Sequence, residues 1–262
     1  MGILLTNGDS FTYGDELAGF DNDPPTHEHH TYTYKLASLL GRKYVNLAHN
    51  GSSNDKIYRR TMDYLINGRE EIDAVVITWS NFGRFEICEN YHMIGDKLVD
   101  IPQESNMNQI IMSHKRDRFT FDVGDTSMPM RKTILTRYCE SVLTMQTQII
   151  KTLMYMNHIQ YICDLRGIPI VQGVIHGDMY NNILATLRNE GWDDYKYKVT
   201  EYFNDLREEC KIGLGQYIDL YYLGKTKYSL KQRGHACEES HTHYAEMIYD
   251  ILIDKELMDV SD

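Results

Sequence analysis

Two stretches at opposite ends of the chain hold the residues best suited to chemistry. Near the start, Asn7-Gly8-Asp9-Ser10-Phe11-Thr12-Tyr13-Gly14 puts a serine directly behind a short apolar run. Near the end, Gly234-His235-Ala236-Cys237-Glu238-Glu239-Ser240-His241 puts a histidine just ahead of an amphipathic pattern that begins near Glu238. A serine hydroxyl is a poor nucleophile at neutral pH until a nearby base takes its proton, and histidine is the side chain suited to that exchange. The pair points to nucleophilic acyl transfer, with Ser10 attacking and His235 as general base. Taken alone, Gly-Asp-Ser is among the commonest turn tripeptides, and a lone histidine ahead of a helix is more often a surface residue.

The elements between these stretches decide whether the two can meet. Ile3 to Asn7 is predicted to form a short buried strand that ends at Gly8, and Tyr34 to Leu40 carries Leu36, Leu39 and Leu40 at helical spacing before Gly41. Tyr44 to Leu47 predicts a second strand, Asn54 to Ile66 a second helix and Ala74 to Thr78 a third strand with a continuous apolar run. Leu135 to about Arg166 reads as a long core-packed helix stopped by Gly167, followed by a strand over Ile168 to Ile175. Tyr244, Met247, Ile248, Ile251 and Leu252 give a closing helix its apolar stripe. This alternation predicts an α/β fold, a three-layer α/β/α sandwich with a parallel sheet of about five strands. In such sheets ligands bind at the carboxyl ends of the strands, where Ser10 falls, and amides at a turn or helix start there favour developing negative charge. Between about 85 and 134 the pattern gives way to polar, Met- and Asn-rich sequence with one alternating stretch, Arg118 to Val123. The expectation is a single domain over 1–262 with an insertion at about 85–134.

The segment NGDSFTYGDEL resembles the first block of the SGNH or GDSL-like hydrolases, NLAHNGSSNDKI resembles their second, and GHACEESHTHYAEMI is similar to their last. The blocks occur in the family's order and on the elements that carry them there. The resemblance implies a flavodoxin-like SGNH fold and a serine esterase that needs no metal or organic cofactor. Ser10 would be nucleophile and backbone oxyanion donor, Gly51 a second backbone donor and His235 the base. The third block usually reads Gly-x-Asn-Asp. Here AVVITWSNFGR offers Asn81 as the third donor, with Trp79 and Phe82 at the positions flanking the usual pattern. The family's acid three residues before the histidine is replaced by Gln232, which leaves either a Ser-His dyad or a carboxylate from elsewhere, with Asp219, Glu238 and Glu239 as candidates. The two glutamates also suit the first turn of a helix on electrostatic grounds alone.

Composition narrows the remaining classes. A formal charge of −11 opposes general binding to a phosphate backbone, so no nucleic-acid partner is expected. The five cysteines are scattered and never spaced as CxxC, which suggests neither a disulfide framework nor a zinc site and fits a cytoplasmic protein. No stretch approaches the roughly 20 apolar residues of a membrane helix. His27, Glu28, His29 and His30 could bind a divalent metal, but clustered loop histidines are more often solvated, and no metal is expected. Arg84 needs a partner if buried and could hold an anionic substrate group if exposed. His114, Lys115, Arg116 and Arg118 form a small basic patch in the insertion, a solvated face or part of a lid over Ser10. With 20 Tyr and 7 Phe the sequence leans towards a small acyl group on a polar carrier, a small-molecule or carbohydrate ester. The alternative is a catalytically weak or inactive SGNH scaffold that binds rather than reacts.

Overall fold

The computed structural model describes residues 2–15, 17, 28–82, 84–88, 93–94, 97–98, 107–115, 118–122, 145–174 and 235–254. The elements begin with β1 (Ile3–Asn7), α1 (Ser10–Tyr13), α2 (Tyr32–Leu39), β2 (Lys43–Asn46), α3 (Asn54–Asn67) and β3 (Ile72–Trp79). They continue with β4 (Arg84–Cys88), β5 (Met93–Ile94), β6 (Lys97–Leu98), β7 (Met107–Lys115), β8 (Arg118–Asp122), α4 (Met145–Leu165), β9 (Ile170–Val174) and α5 (Glu238–Asp254). Among the described residues the central sheet has four strands in the order β2-β1-β3-β9, and every pairing is parallel. Leu4 pairs with Tyr44 on one side and Ala74 on the other, so β1 lies inside the sheet.

Side-chain alternation along the strands divides the core in two. Leu5, Val75 and Ile77 face α3 and α4, where Ile57, Leu65, Ile149, Leu153, Met156 and Ile159 cover them. Leu4, Ala74, Val76 and Val171 face the opposite way, under Tyr32, Leu36 and Ala37 of α2 and Tyr244, Ala245, Ile248 and Leu252 of α5. A strand buried on both faces reads as an unbroken apolar run, which is why AVVIT sits in β3. The result is the three-layer sandwich expected from the alternation of strands and helices.

Local signals set the helix ends. Ser53 caps α3 by accepting a hydrogen bond from Lys56 N, and Thr31 caps α2 by accepting one from Tyr34 N. The long helix is described from Met145, and its expected start at Leu135 lies outside the described residues. After β3 the chain leaves the parallel sheet: β4, β7 and β8 form a separate antiparallel sheet and β5 pairs with β6. The alternating stretch at Arg118 is β8. Among the described residues, no helix is long and apolar enough to cross a membrane.

Candidate active site

Three loops meet at the carboxyl edge of the sheet, and a buried aspartate ties two of them together. Asp9 follows β1 as the N-cap of α1, with its Oδ1 accepting from Phe11 N at 3.1 Å. Its Oδ2 accepts from Ser80 Oγ at 2.8 Å and from Arg84 Nη1 at 2.8 Å, and the side chain is fully buried. Ser80 and Asn81 follow β3, so this one carboxylate links the first and third sequence blocks. The second block is attached twice: His49 N donates to Gly8 O at 3.4 Å, and the Asn54 amide bridges to Ser80, accepting from its N at 2.8 Å and donating to its O at 3.0 Å.

Gly8 occupies a place that leaves no room for a side chain. A Cβ there would collide with the Thr12 side chain and lie 3.0 Å from the Thr78 carbonyl oxygen. The chain therefore turns tightly off β1, with Gly8 N donating to Asn7 Oδ1 at 2.8 Å. Ser10 opens α1 and is 6% exposed. As the first residue of a helical turn, its N–H has no partner within the helix and can serve an external acceptor. Gly14 ends the turn in the left-handed region with its N–H bonded to Ser10 O. Gly51 has φ 71°, in a turn closed by Ser52 N and Ser52 Oγ, both donating to His49 O. This is a backbone shape that favours glycine. Asn81 is exposed on the same edge, its carbonyl accepting from Arg84 N at 3.2 Å.

His235 arrives from the other end of the chain just before α5. Its ring packs against that of Phe11, the residue after Ser10, with centroids 5.0 Å apart. Its Nε2 lies 3.8 Å from Asp15 Oδ2, and the two side chains are 15% and 11% exposed. The four residues singled out from the sequence thus lie at one edge of the sheet: His235 packs on Phe11, the residue after Ser10 in α1, and Gly51 and Asn81 lie on the cross-linked loops.

The other candidates have different places. Arg84 is committed to Asp9 and Ser80. Trp79, Phe82 and Phe85 are buried, and Trp79 Nε1 donates to Gln172 Oε1, so these aromatics are core. Glu238 is bound to Lys35 Nζ at 2.8 Å and His30 Nδ1 at 2.9 Å, contacts that lower its carboxyl below the usual range, Lys35 foremost. Glu239 is exposed. Asp219, Gln232, His27 and Arg116 lie outside the described residues, as do the side chains of His114, Lys115 and Arg118. Among the described residues no group of histidines, cysteines and carboxylates is arranged to hold a metal ion. His241 is buried in structure rather than in the site. Its Nδ1 accepts from Tyr32 N at 3.1 Å, and burial pushes its ionisation down to about 3.

Two groups were not singled out as site residues from the sequence. Asp9 carried a readable signal, since an aspartate ahead of a helical turn is a preferred cap. Asp15 carried none, because nothing in its spacing points to a histidine at the far end of the chain.

No family model and no curated protein matches this sequence. Among solved structures, the chain is similar to an acetyl xylan esterase from the rumen bacterium Butyrivibrio proteoclasticus, with 13% identity and a TM-score of 0.50 over 97% of this chain and 64% of that one. It also aligns with a family two carbohydrate esterase from Clostridium thermocellum, at 16% identity and TM-score 0.44 over 98% and 65% of the two chains. A third alignment is with a G-D-S-L family protein from Desulfitobacterium hafniense, at 12% identity and TM-score 0.35 over 96% and 100%. The chain thus spans less than two thirds of the length of the acetyl xylan esterase, and at 13% identity the likeness is one of fold. With its parallel sheet lying between two helical layers, the chain shares the α/β/α fold of that acetyl xylan esterase.

Proposed function

We propose that this chain is a serine ester hydrolase acting on a small acyl ester, with a carbohydrate ester as the favoured carrier. The observation that supports the reading is the packing of the His235 ring on Phe11, the residue after Ser10 at the start of α1. Ser10 Oγ attacks the ester carbonyl while His235 takes its proton, and His235 returns that proton to the leaving alcohol. The N–H groups of Ser10 and Gly51 and the Asn81 amide hold the oxyanion, a role in which losing one donor costs about 10² to 10³ in rate. Water then resolves the acyl-enzyme, again with His235 as base.

The carbohydrate preference draws on the polar, tyrosine-rich composition and on the neighbouring structure's description as an acetyl xylan esterase. In this reading residues 1–262 form one domain, with the antiparallel strands β4 to β8 at the 85–134 insertion.

The test is hydrolysis of p-nitrophenyl acetate, butyrate and octanoate, with acetylated xylan alongside, by the wild type, Ser10→Ala and His235→Ala, together with fluorophosphonate labelling. Turnover and labelling at Ser10 by the wild type, lost in Ser10→Ala and strongly reduced in His235→Ala, are expected. A folded wild type that neither hydrolyses nor labels refutes the hydrolase and favours a binding scaffold.

A further inference from the structure

The acid that usually stands three residues before the histidine is Gln232 in this chain, yet a carboxylate reaches His235 from the opposite end of the sequence. Asp15 Oδ2 lies 3.8 Å from His235 Nε2, and both side chains are largely withdrawn from water. Asp15 is held in place from its backbone: its N–H donates to Ser10 O at 3.0 Å, directly after the left-handed Gly14. The same four-residue turn therefore fixes Ser10 at its start and Asp15 just past its end. The ring on which Asp15 acts is packed on Phe11, which is part of that turn. Serine, ring contact and carboxylate all belong to one short stretch, Ser10 to Asp15.

We infer that Asp15 is the positioning carboxylate for His235, replacing the acid absent at position 232. The inference rests on the serine hydrolase reading above. A carboxylate beside Nε2 favours the ring orientation that turns that nitrogen towards Asp15. The Ser10 Oγ proton moves to the imidazole as the Oγ–carbonyl carbon bond forms, and the ring carries a full positive charge until the proton passes to the departing alkoxide. Asp15 stabilises that imidazolium without taking a proton itself. At 3.8 Å the contact is too long for a hydrogen bond and becomes an ion pair only when the ring takes up the proton. Its loss should cost less than the roughly 10⁴ in kcat seen when a hydrogen-bonded triad acid is made an amide.

The test measures kcat and KM for p-nitrophenyl acetate in the wild type, Asp15→Asn and Asp15→Glu, with kcat expressed per Ser10 titrated by fluorophosphonate. That normalisation removes any loss of folded protein. In Asp15→Asn kcat is expected to fall roughly 10- to 100-fold with KM nearly unchanged, and fluorophosphonate labelling of Ser10 to slow in proportion. Asp15→Glu is expected to recover at least part of the kcat. An active wild type whose Asp15→Asn variant keeps wild-type kcat per titrated serine overturns the assignment and leaves the hydrolase intact. The same holds if Asp15→Glu is no better than Asp15→Asn. A wild type that neither turns over nor labels overturns both.

Discussion

His241 gives this fold an acid-sensitive point whose size follows from the structure. The ring is 1% exposed, lies 6.0 Å from the Tyr32 ring in a stacked arrangement, and uses Nδ1 to accept the Tyr32 N–H at the start of α2. A proton on Nδ1 would break that bond and leave a charge in the core. Burial is the main reason its ionisation falls from 6.5 to about 3, with Lys35 and His235 adding repulsion and Glu238 opposing them. Below pH 6.5 the unfolded chain binds a proton that the native ring refuses, so stability is lost as pH falls from about 6.5 towards about 3 and levels off below. Between pH 7.5 and 4.5 the loss from this one residue is about 3 kcal/mol. The variant His241→Asn keeps an acceptor near the place of Nδ1 and cannot titrate. Urea unfolding of both proteins at the two pH values isolates the effect, because carboxylates elsewhere titrate alike in each. The wild type is expected to lose about 3 kcal/mol more than the variant. A difference below about 1 kcal/mol would mean that His241 accepts its proton without unfolding the site around it, and the argument from burial would fail.

Asp9→Ala should destabilise the protein by about 3 kcal/mol in denaturant titrations, since it leaves the partly buried Arg84 guanidinium without its carboxylate; a loss under about 1 kcal/mol would place the bond between the first and third blocks elsewhere. Gly51→Ala should cost about 1 to 2 kcal/mol of stability because of its left-handed backbone, with Gly51→Asn milder; equal stability for all three would show that the turn relaxes to an ordinary conformation.

The layers of this fold were legible because burial leaves a periodic trace. AVVIT reads as a strand with a continuous apolar run, and the helical spacing of Leu36, Tyr244 and Ile248 marks stripes that the structure packs against the sheet. Ser10, Gly51, Asn81 and His235 could be proposed for a different reason: they lie within short local blocks on recognisable strand and helix ends. Interactions between distant positions left no such trace. Arg84 could be read as a group in need of a partner, but not that its partner would be the residue before Ser10. Asp15 is the sharper case. A carboxylate acting on a histidine is constrained by distance and not by spacing, so a turn that carries the chain from Ser10 to Asp15 can supply what the segment before His235 lacks. The proper question for a missing acid is therefore which fixed backbone passes within reach of the ring, and here that backbone is the turn that also carries the serine.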